Sequence, residues 1–448
     1  MGGHAREPVR GLRRARRLSG GPPSALEPLP PTRGPRILRP LRIRDFALLW
    51  AGATVSLLGD GVYVVALAWQ VYELSNTPTA LSIVGVAWTL PLAAFVLLGG
   101  IVTDRVERRR VMIAADVVRA LAAGAIGGLS LAGAVELWHL IVLAAVFGTG
   151  EAFFGPAFTS IVPQIVPRNL LLEANSLDQF IRPFAFFLAG PALGGWIIAS
   201  LGTGEAFVLN GLSFLVSATA ILLMRPRPLP REDRTTSALR ELREGLAFVR
   251  ARTWLWATLL SAAIFLLAYW GPVEVLVPFL VRNELGRGAD AFGLVLACGG
   301  LGSILAAVVM GQRGLPRRHI TFMYASWALG SLALVGFGLA TAVWQLMAIS
   351  FVEGALFTTG LIVWGTLVHT LVPAGLLGRV TSLDWFVSTS LVPISFALTG
   401  PAAAWLGVKA TLVAAGVAAA TATILCLFVP GVRDTERTGA LDPTAGGA

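Results

Sequence analysis

Long apolar runs alternate with short polar breaks from residue 46 to residue 429. Twelve runs stand out, over 46–72, 80–102, 111–133, 138–165, 171–200, 204–224, 254–281, 289–310, 320–340, 344–370, 377–405 and 408–429. Each is long enough, at ~1.5 Å per residue, to cross a hydrocarbon core of ~30 Å. A backbone in lipid has no water to bond, so these runs are expected to be helices. Strands this long and this uniformly apolar do not suit a membrane barrel. The pattern predicts an all-α membrane protein with twelve transmembrane helices.

The longest polar break, 225–252, falls between the sixth and seventh runs and divides the chain. A basic tail is expected over 1–44, one six-helix half over 45–224, a linker over 225–252, the other half over 253–430, and a second tail over 431–448. The halves share a sequence. "VPRNLLLEANSLDQF" (166–180) sits over "VPAGLLGRVTSLDWF" (372–386), and the same offset brings Trp138 over Trp344, Leu140 over Leu346, Gly148 over Gly354 and Val162 over Val368 without a gap. The fourth and tenth helices, with the starts of the fifth and eleventh, are thus two copies in one orientation. Parallel pseudo-symmetric halves of this kind suggest a transporter that rocks about a site between them.

The charge distribution gives the orientation. Only 13% of residues are charged, where soluble chains carry about 25%, and 55% are hydrophobic, yet the net charge is +10. Eleven arginines lie in 1–44 and eight in 225–252; others fall in 103–110 and 312–318, all on one side of the predicted bundle. The opposite side has only Arg282, Arg287 and Lys409. This asymmetry predicts cytoplasmic termini in a multi-pass protein of the cell membrane, and it accounts for the basic charge without nucleic acid. Within the linker, Leu239, Leu242, Leu246 and Val249 form an apolar stripe, which fits a helix lying on the inner membrane surface or else a flexible tether.

Cys298 and Cys426 lie inside apolar runs and read as small core residues. His4, His139, His319 and His369 have no ligand spacing, and no phosphate loop, dinucleotide fingerprint, nucleophile elbow or zinc signature occurs. No metal, no cofactor and no enzyme activity are expected.

Four stretches carry a resemblance. "GGIVTDRVERRR" (99–110), with Gly100, Asp104, Arg105, Arg108 and Arg109, resembles the loop signature between helices two and three of the major facilitator superfamily. With "AADVVRA" (114–120) and "PRNLLLEANSL" (167–177), it is similar to the branch of macrolide exporters and enterobactin-type siderophore exporters. "GPALGG", with Gly190, Pro191, Gly194 and Gly195, is similar to the helix-five motif of proton-driven antiporters, although Phe186 replaces an upstream glycine. The resemblance implies an inner latch between the Asp104 loop and the start of the eleventh helix, where Arg379 and Asp384 stand. Asp178 and Arg182 repeat that theme on the fifth helix as an i, i+4 pair, and Asp116 with Arg119 form an i, i+3 pair read as structural or gating.

Carboxylates inside the apolar runs are the sharpest functional candidates, because a charge at mid-bilayer costs several kcal/mol. Asp60, Glu151, Glu274 and Glu353 lie one each on helices one, four, seven and ten, which by the resemblance line the central cavity. They could carry a proton, bind a cationic substrate, or make structural bonds between helices. Tyr63, Trp69, Phe153, Phe154 and Trp270 are candidates for stacking on cargo. The expected function is export of a hydrophobic or amphipathic small molecule by proton antiport, by a monomer whose partners are cargo, protons and lipids. A dedicated siderophore or metabolite exporter is the alternative, and a lipid scramblase or membrane scaffold is the reading from another class.

Overall fold

The computed structural model describes residues 36–225 and 238–437. Most of the expected basic tail (1–35), the centre of the linker (226–237) and the end of the C-terminal tail (438–448) lie outside the described residues. Twelve helices among the described residues are long and apolar enough to span a membrane. They are α1 (Arg44–Leu74), α2 (Pro78–Arg105), α3 (Arg108–Leu131), α4 (Leu137–Ile165), α5 (Leu171–Ser200), α6 (Thr203–Leu222), α7 (Thr253–Glu284), α8 (Ala289–Arg313), α9 (His319–Leu339), α10 (Val343–Leu371), α11 (Leu376–Leu406) and α12 (Val408–Leu427).

The repeated unit is capped in the same way in both copies. At the start of α4 the Glu136 backbone N–H donates to Nδ1 of His139 at 3.0 Å. At the start of α10 the Ala342 N–H donates to Oε1 of Gln345 at 3.2 Å, and Thr341 N–H to the same oxygen at 2.7 Å. A side chain at the third helical position thus supplies the partner that the first backbone donors lack. The aligned Trp138 and Trp344 follow directly and are exposed at the membrane-facing ends.

Prolines loosen two of the long helices at defined places. Pro191 cannot donate to the carbonyl one turn before it, and α5 widens into a π-helical segment over Pro183–Ala189. In α7, Pro272 and Pro278 lack their donors likewise, and π-helical segments run over Pro272–Leu276 and Leu280–Glu284. Glu274 lies in the first of these, so its backbone is set by a wide turn rather than by regular helix.

Within each half, helices pack by close backbone approach rather than by exclusion of water, which lipid does not supply. In the first half α1 packs on α6, and α3 on α4 and α6; in the second, α10 packs on α8 and α9, and α12 on α7. Two seams join the halves, α2 against α11 and α5 against α8. Glycines make both seams possible. A Cβ at Gly195 would come within 2.6 Å of the Ala289 carbonyl oxygen and 3.2 Å of Gly293 Cα. A Cβ at Gly400 would come within 2.8 Å of Thr79 Cα. Gly190 and Gly194 face inward instead, against Gly61 and Val62 of α1. "GPALGG" is therefore a double contact surface, one side on α1 and the other across the molecule on α8.

Cross-half hydrogen bonds gather at the end of the bundle away from the arginine-rich loops. Tyr72 Oη donates to the Val275 carbonyl at 2.6 Å, and Asn76 Nδ2 donates to Asn283 Oδ1 at 2.7 Å. Arg282 reaches the Trp69 carbonyl at 3.4 Å and lies 5.3 Å from the Trp69 ring. With the two glycine seams, these contacts close the far face. On the arginine-rich side, the linker forms a helix over Ala238–Arg250 that packs on the start of α11. Gly245 lies against Arg379 and Leu383, Phe248 and Val249 are buried, and Leu246 is exposed.

Candidate functional site

The four intramembrane carboxylates fall into three different settings. Asp60, on α1, belongs to a charge cluster buried in the first half. Its Oδ2 lies 3.9 Å from the guanidinium of Arg119 on α3, which also bonds Asp116 one turn earlier. Asp116 is 0% exposed and Arg119 3%. The guanidinium is sandwiched between the Phe154 and Phe214 rings, 4.5 and 4.2 Å from their centroids. Gly150 makes room for its stem, since a Cβ there would sit 2.8 Å from Arg119 Cγ. Among the described residues Asp60 Oδ1, Asp116 Oδ2 and Arg119 Nε have no hydrogen-bond partner, so the cluster has spare donors and acceptors. A buried cation held between two carboxylates can shift its allegiance when either one is protonated.

Glu151 and Glu274 are in a second setting, contributed by the two halves to one cavity of about 460 Å³. Trp88 on α2 donates its indole N–H to Glu151 Oε2 at 3.0 Å and lines the cavity beside it. Glu274 is contributed by the wide turn of α7, next to Trp270. The remaining wall is mostly aromatic and aliphatic: Phe265, Trp327, Phe357, Trp364 and Phe396 from the second half, Phe186 from the first. A cavity of this size and lining suits an amphipathic small molecule, with a few polar groups to fix its orientation.

Glu353 is the third setting. It is buried in the second half and bonded to Tyr269 at 2.5 Å, outside the cavity lining. Tyr269 stacks on Phe265 at 4.8 Å. Glu353 therefore makes the interhelical bond that the sequence left as one of its readings.

The aromatic candidates divide in the same manner. Trp270 lines the cavity. Tyr63 is instead fully buried and stacks on Phe147 at 4.2 Å, Phe154 covers Arg119, and Trp69 belongs to the far-face closure. Phe153 packs with the inner end of the first half.

The residues expected at the inner latch do not meet at one point. Arg379 pairs with Glu244 of the linker helix. Arg109 donates to the last carbonyls of α6, to Ile221 at 3.0 Å and to Leu222, which ties loop 105–108 to the base of its own half. Asp104 and Arg105 are exposed at the end of α2, Arg108 is half-buried, and Gly100 has open space where a Cβ would stand. Asp178 and Arg182 face each other at 3.8 Å. Asp384 lies in the cavity wall, accepting the Trp364 indole N–H at 3.0 Å. The free Cys298 and Cys426 form no disulfide, and no metal-binding group is found among the described residues.

Two features escaped the sequence reading. Arg119 was visible only as the partner of Asp116; nothing in the spacing shows that it reaches Asp60 on another helix. The glycine before Glu151 was the available signal, since a missing side chain beside a buried acid leaves room for a crossing one. The resemblance implies a place for Asp384 in the inner latch at the start of α11, whereas its side chain lines the cavity.

Comparisons with known proteins agree with this architecture. The family model for the transmembrane secretion effector matches residues 36–442. The multidrug efflux pump Tap of Mycolicibacterium fortuitum is 29% identical over 89% of this chain and 97% of its own. Macrolide efflux protein A of Streptococcus pyogenes is 22% identical over 87% and 97% of the two chains. Among solved structures, a bacterial homologue of the human lysosomal transporter Spinster, in an inward-facing and unoccupied conformation, superposes with a TM-score of 0.68 at 15% identity, covering 89% of this chain and 98% of that one. Twelve membrane-crossing helices in two joined halves, a cavity between them and a family match over nearly the whole length lead to one assignment: the chain belongs to the transmembrane secretion effector family of the major facilitator superfamily, whose members are membrane transporters.

Proposed function

We propose that this protein exports a hydrophobic or amphipathic small molecule of drug or macrolide type across the cytoplasmic membrane, by proton antiport and alternating access. The observation that carries the reading is the aromatic cavity with carboxylates from both halves, Glu151 from the first and Glu274 and Asp384 from the second. The similarity to the multidrug efflux pump Tap and to macrolide efflux protein A supports the same cargo class. The arginine-rich face and both termini are cytoplasmic in this reading, and one chain is the working unit. Cargo enters from the cytoplasmic side or the inner leaflet while the far-face seams are closed. When the halves rock, a proton from outside binds Asp60 or Glu151. Neutralising Glu151 weakens its hold on the cargo; neutralising Asp60 leaves Arg119 to Asp116 alone. Loss of that proton on the inner side resets the site. An acidic cavity disfavours a siderophore, whose iron-binding groups are anionic, and so favours the drug reading over that alternative.

Inverted vesicles carrying a respiration-driven proton gradient test this with dyes, macrolides and siderophores. A cargo is expected to dissipate the gradient with the wild-type chain and to lose that effect with Asp60→Asn and with Glu151→Gln. Full proton-coupled transport in both variants would remove the antiport mechanism. If no compound acts while the protein is folded and inserted, lipid movement becomes the function to measure.

A further inference from the structure

We propose that Asp384 is a binding subsite for lipophilic organic monocations, placed at the cytoplasmic end of the cavity, before Glu274 and Glu151. The inference rests on reading the cavity as the transport path and names the charge of the cargo that enters it. Four observations converge on it.

The first is position. Asp384 shares the cavity wall with Ser388 and Thr389 of α11 and Trp364 of α10, close to the ends of both helices on the arginine-rich side. Glu274 and Glu151 line the same cavity farther in. The second is its partner. Oδ2 accepts the Trp364 indole N–H at 3.0 Å, and Trp364 is held in turn by an edge contact with Trp254, 6.1 Å between centroids. The carboxylate is thus oriented by a fixed neutral donor, and among the described residues no cation pairs with its negative charge. The third is the lining as a whole, which includes no lysine, arginine or histidine among the described residues. A carboxylate in such surroundings gains most from a mobile cation.

The fourth comes from the internal repeat and is independent of the cavity. Asp384 is the counterpart of Asp178, and Asp178 has a cation of its own, Arg182, one turn on at 3.8 Å. At the matching place after Asp384 the chain has Ser388, which lines the cavity. The first copy carries its counter-charge within the helix; the second leaves that place open to the cargo. The Trp364 ring beside it, with Trp327 and Phe357 in the same wall, offers faces to a cation with an apolar body.

The test uses the full chain in lipid nanodiscs, with tetraphenylphosphonium as the cationic probe and triphenylphosphine oxide as its neutral counterpart. Binding is read by calorimetry and by tryptophan quenching. Asp384→Asn is expected to weaken phosphonium binding about tenfold, close to 1.4 kcal/mol, and to leave the neutral probe unchanged; Asp384→Glu is expected to retain the cation. Ser388→Arg rebuilds the pair of the first copy and is expected to abolish phosphonium binding while Asp384 is still present. Monodisperse elution of each variant separates loss of the site from loss of the fold. Wild-type affinity in both Asp384→Asn and Ser388→Arg overturns the subsite. If Glu274→Gln alone then loses the cation, the transport cavity stands without the subsite. If the wild type binds no phosphonium, the subsite falls, and the vesicle assay decides separately whether the cavity carries cargo at all.

Discussion

Arg119→Met is expected to be among the most damaging single substitutions in this protein, lowering its stability by about 3–5 kcal/mol, the range for breaking a buried ion pair from one side. The methionine fills much of the same volume between Phe154 and Phe214, so the loss is electrostatic rather than a cavity effect. What remains is Asp116, fully buried, and Asp60 on the neighbouring helix, with the cation between them gone. Two carboxylates then stand close together in a medium that solvates neither, and α1 and α3 lose their polar link. The double change Arg119→Met with Asp116→Asn is expected to recover a large part of the loss, because the acid most tightly bound to the arginine is neutralised with it. Thermal unfolding of purified protein in detergent, followed by light scattering and tryptophan emission, reads both. Equal midpoints for wild type and Arg119→Met would show that the cluster does not hold the helices together. Equal midpoints for the single and double variants would show that the cost lies elsewhere than in the orphaned Asp116.

The fold was legible because its two determinants are local and repetitive. Hydropathy alone separates the twelve spans, and lipid leaves the backbone no other regular structure than the helix. The parallel halves were legible from the copy of α4 and the start of α5 in α10 and α11, and the caps built by His139 and Gln345 show why the copies begin alike. The site was legible only in part. An acid in an apolar run announces itself, so Asp60, Glu151, Glu274 and Glu353 could all be named in advance. Which of them shares a cavity could not be read, because that depends on helix rotation and on what crosses the gap. Glu353 is bonded to Tyr269, and Asp60 is engaged by Arg119; of these four, Glu151 and Glu274 line the space between the halves, where Asp384 joins them. The latch residues illustrate the same limit. Loop sequence gives their charges, while the docking of the linker helix, which brings Glu244 to Arg379, is a tertiary contact without a periodic signature.

Gly195→Leu is expected to hold the far face open. In the present arrangement α5 and α8 meet there backbone to backbone, with the Gly195 Cα 3.0 Å from the Cβ that Gly293 would carry, and a Cβ on Gly195 itself would come 2.6 Å from the Ala289 carbonyl oxygen. A backbone carbonyl cannot swing aside as a side chain can, so a leucine separates the helices along the whole seam. Overpacking of this kind costs a close-packed state about 1–3 kcal/mol, which shifts a two-state balance by roughly 5- to 150-fold. The state that pays nothing is the one in which α5 and α8 are already apart. Spin labels at Asn76→Cys and Asn283→Cys, in a Cys298→Ser, Cys426→Ser background, sit on the two sides of the far-face closure. Their distance distribution is expected to move from mainly short in the parent to mainly long with Gly195→Leu. Gly128→Leu is the control, since a Cβ there meets nothing within 4 Å, and it is expected to leave the distribution as it was. A short distance retained with Gly195→Leu would mean that the α5–α8 seam does not set the closure. The α2–α11 seam, where Gly400 meets Thr79, would then have to carry it alone.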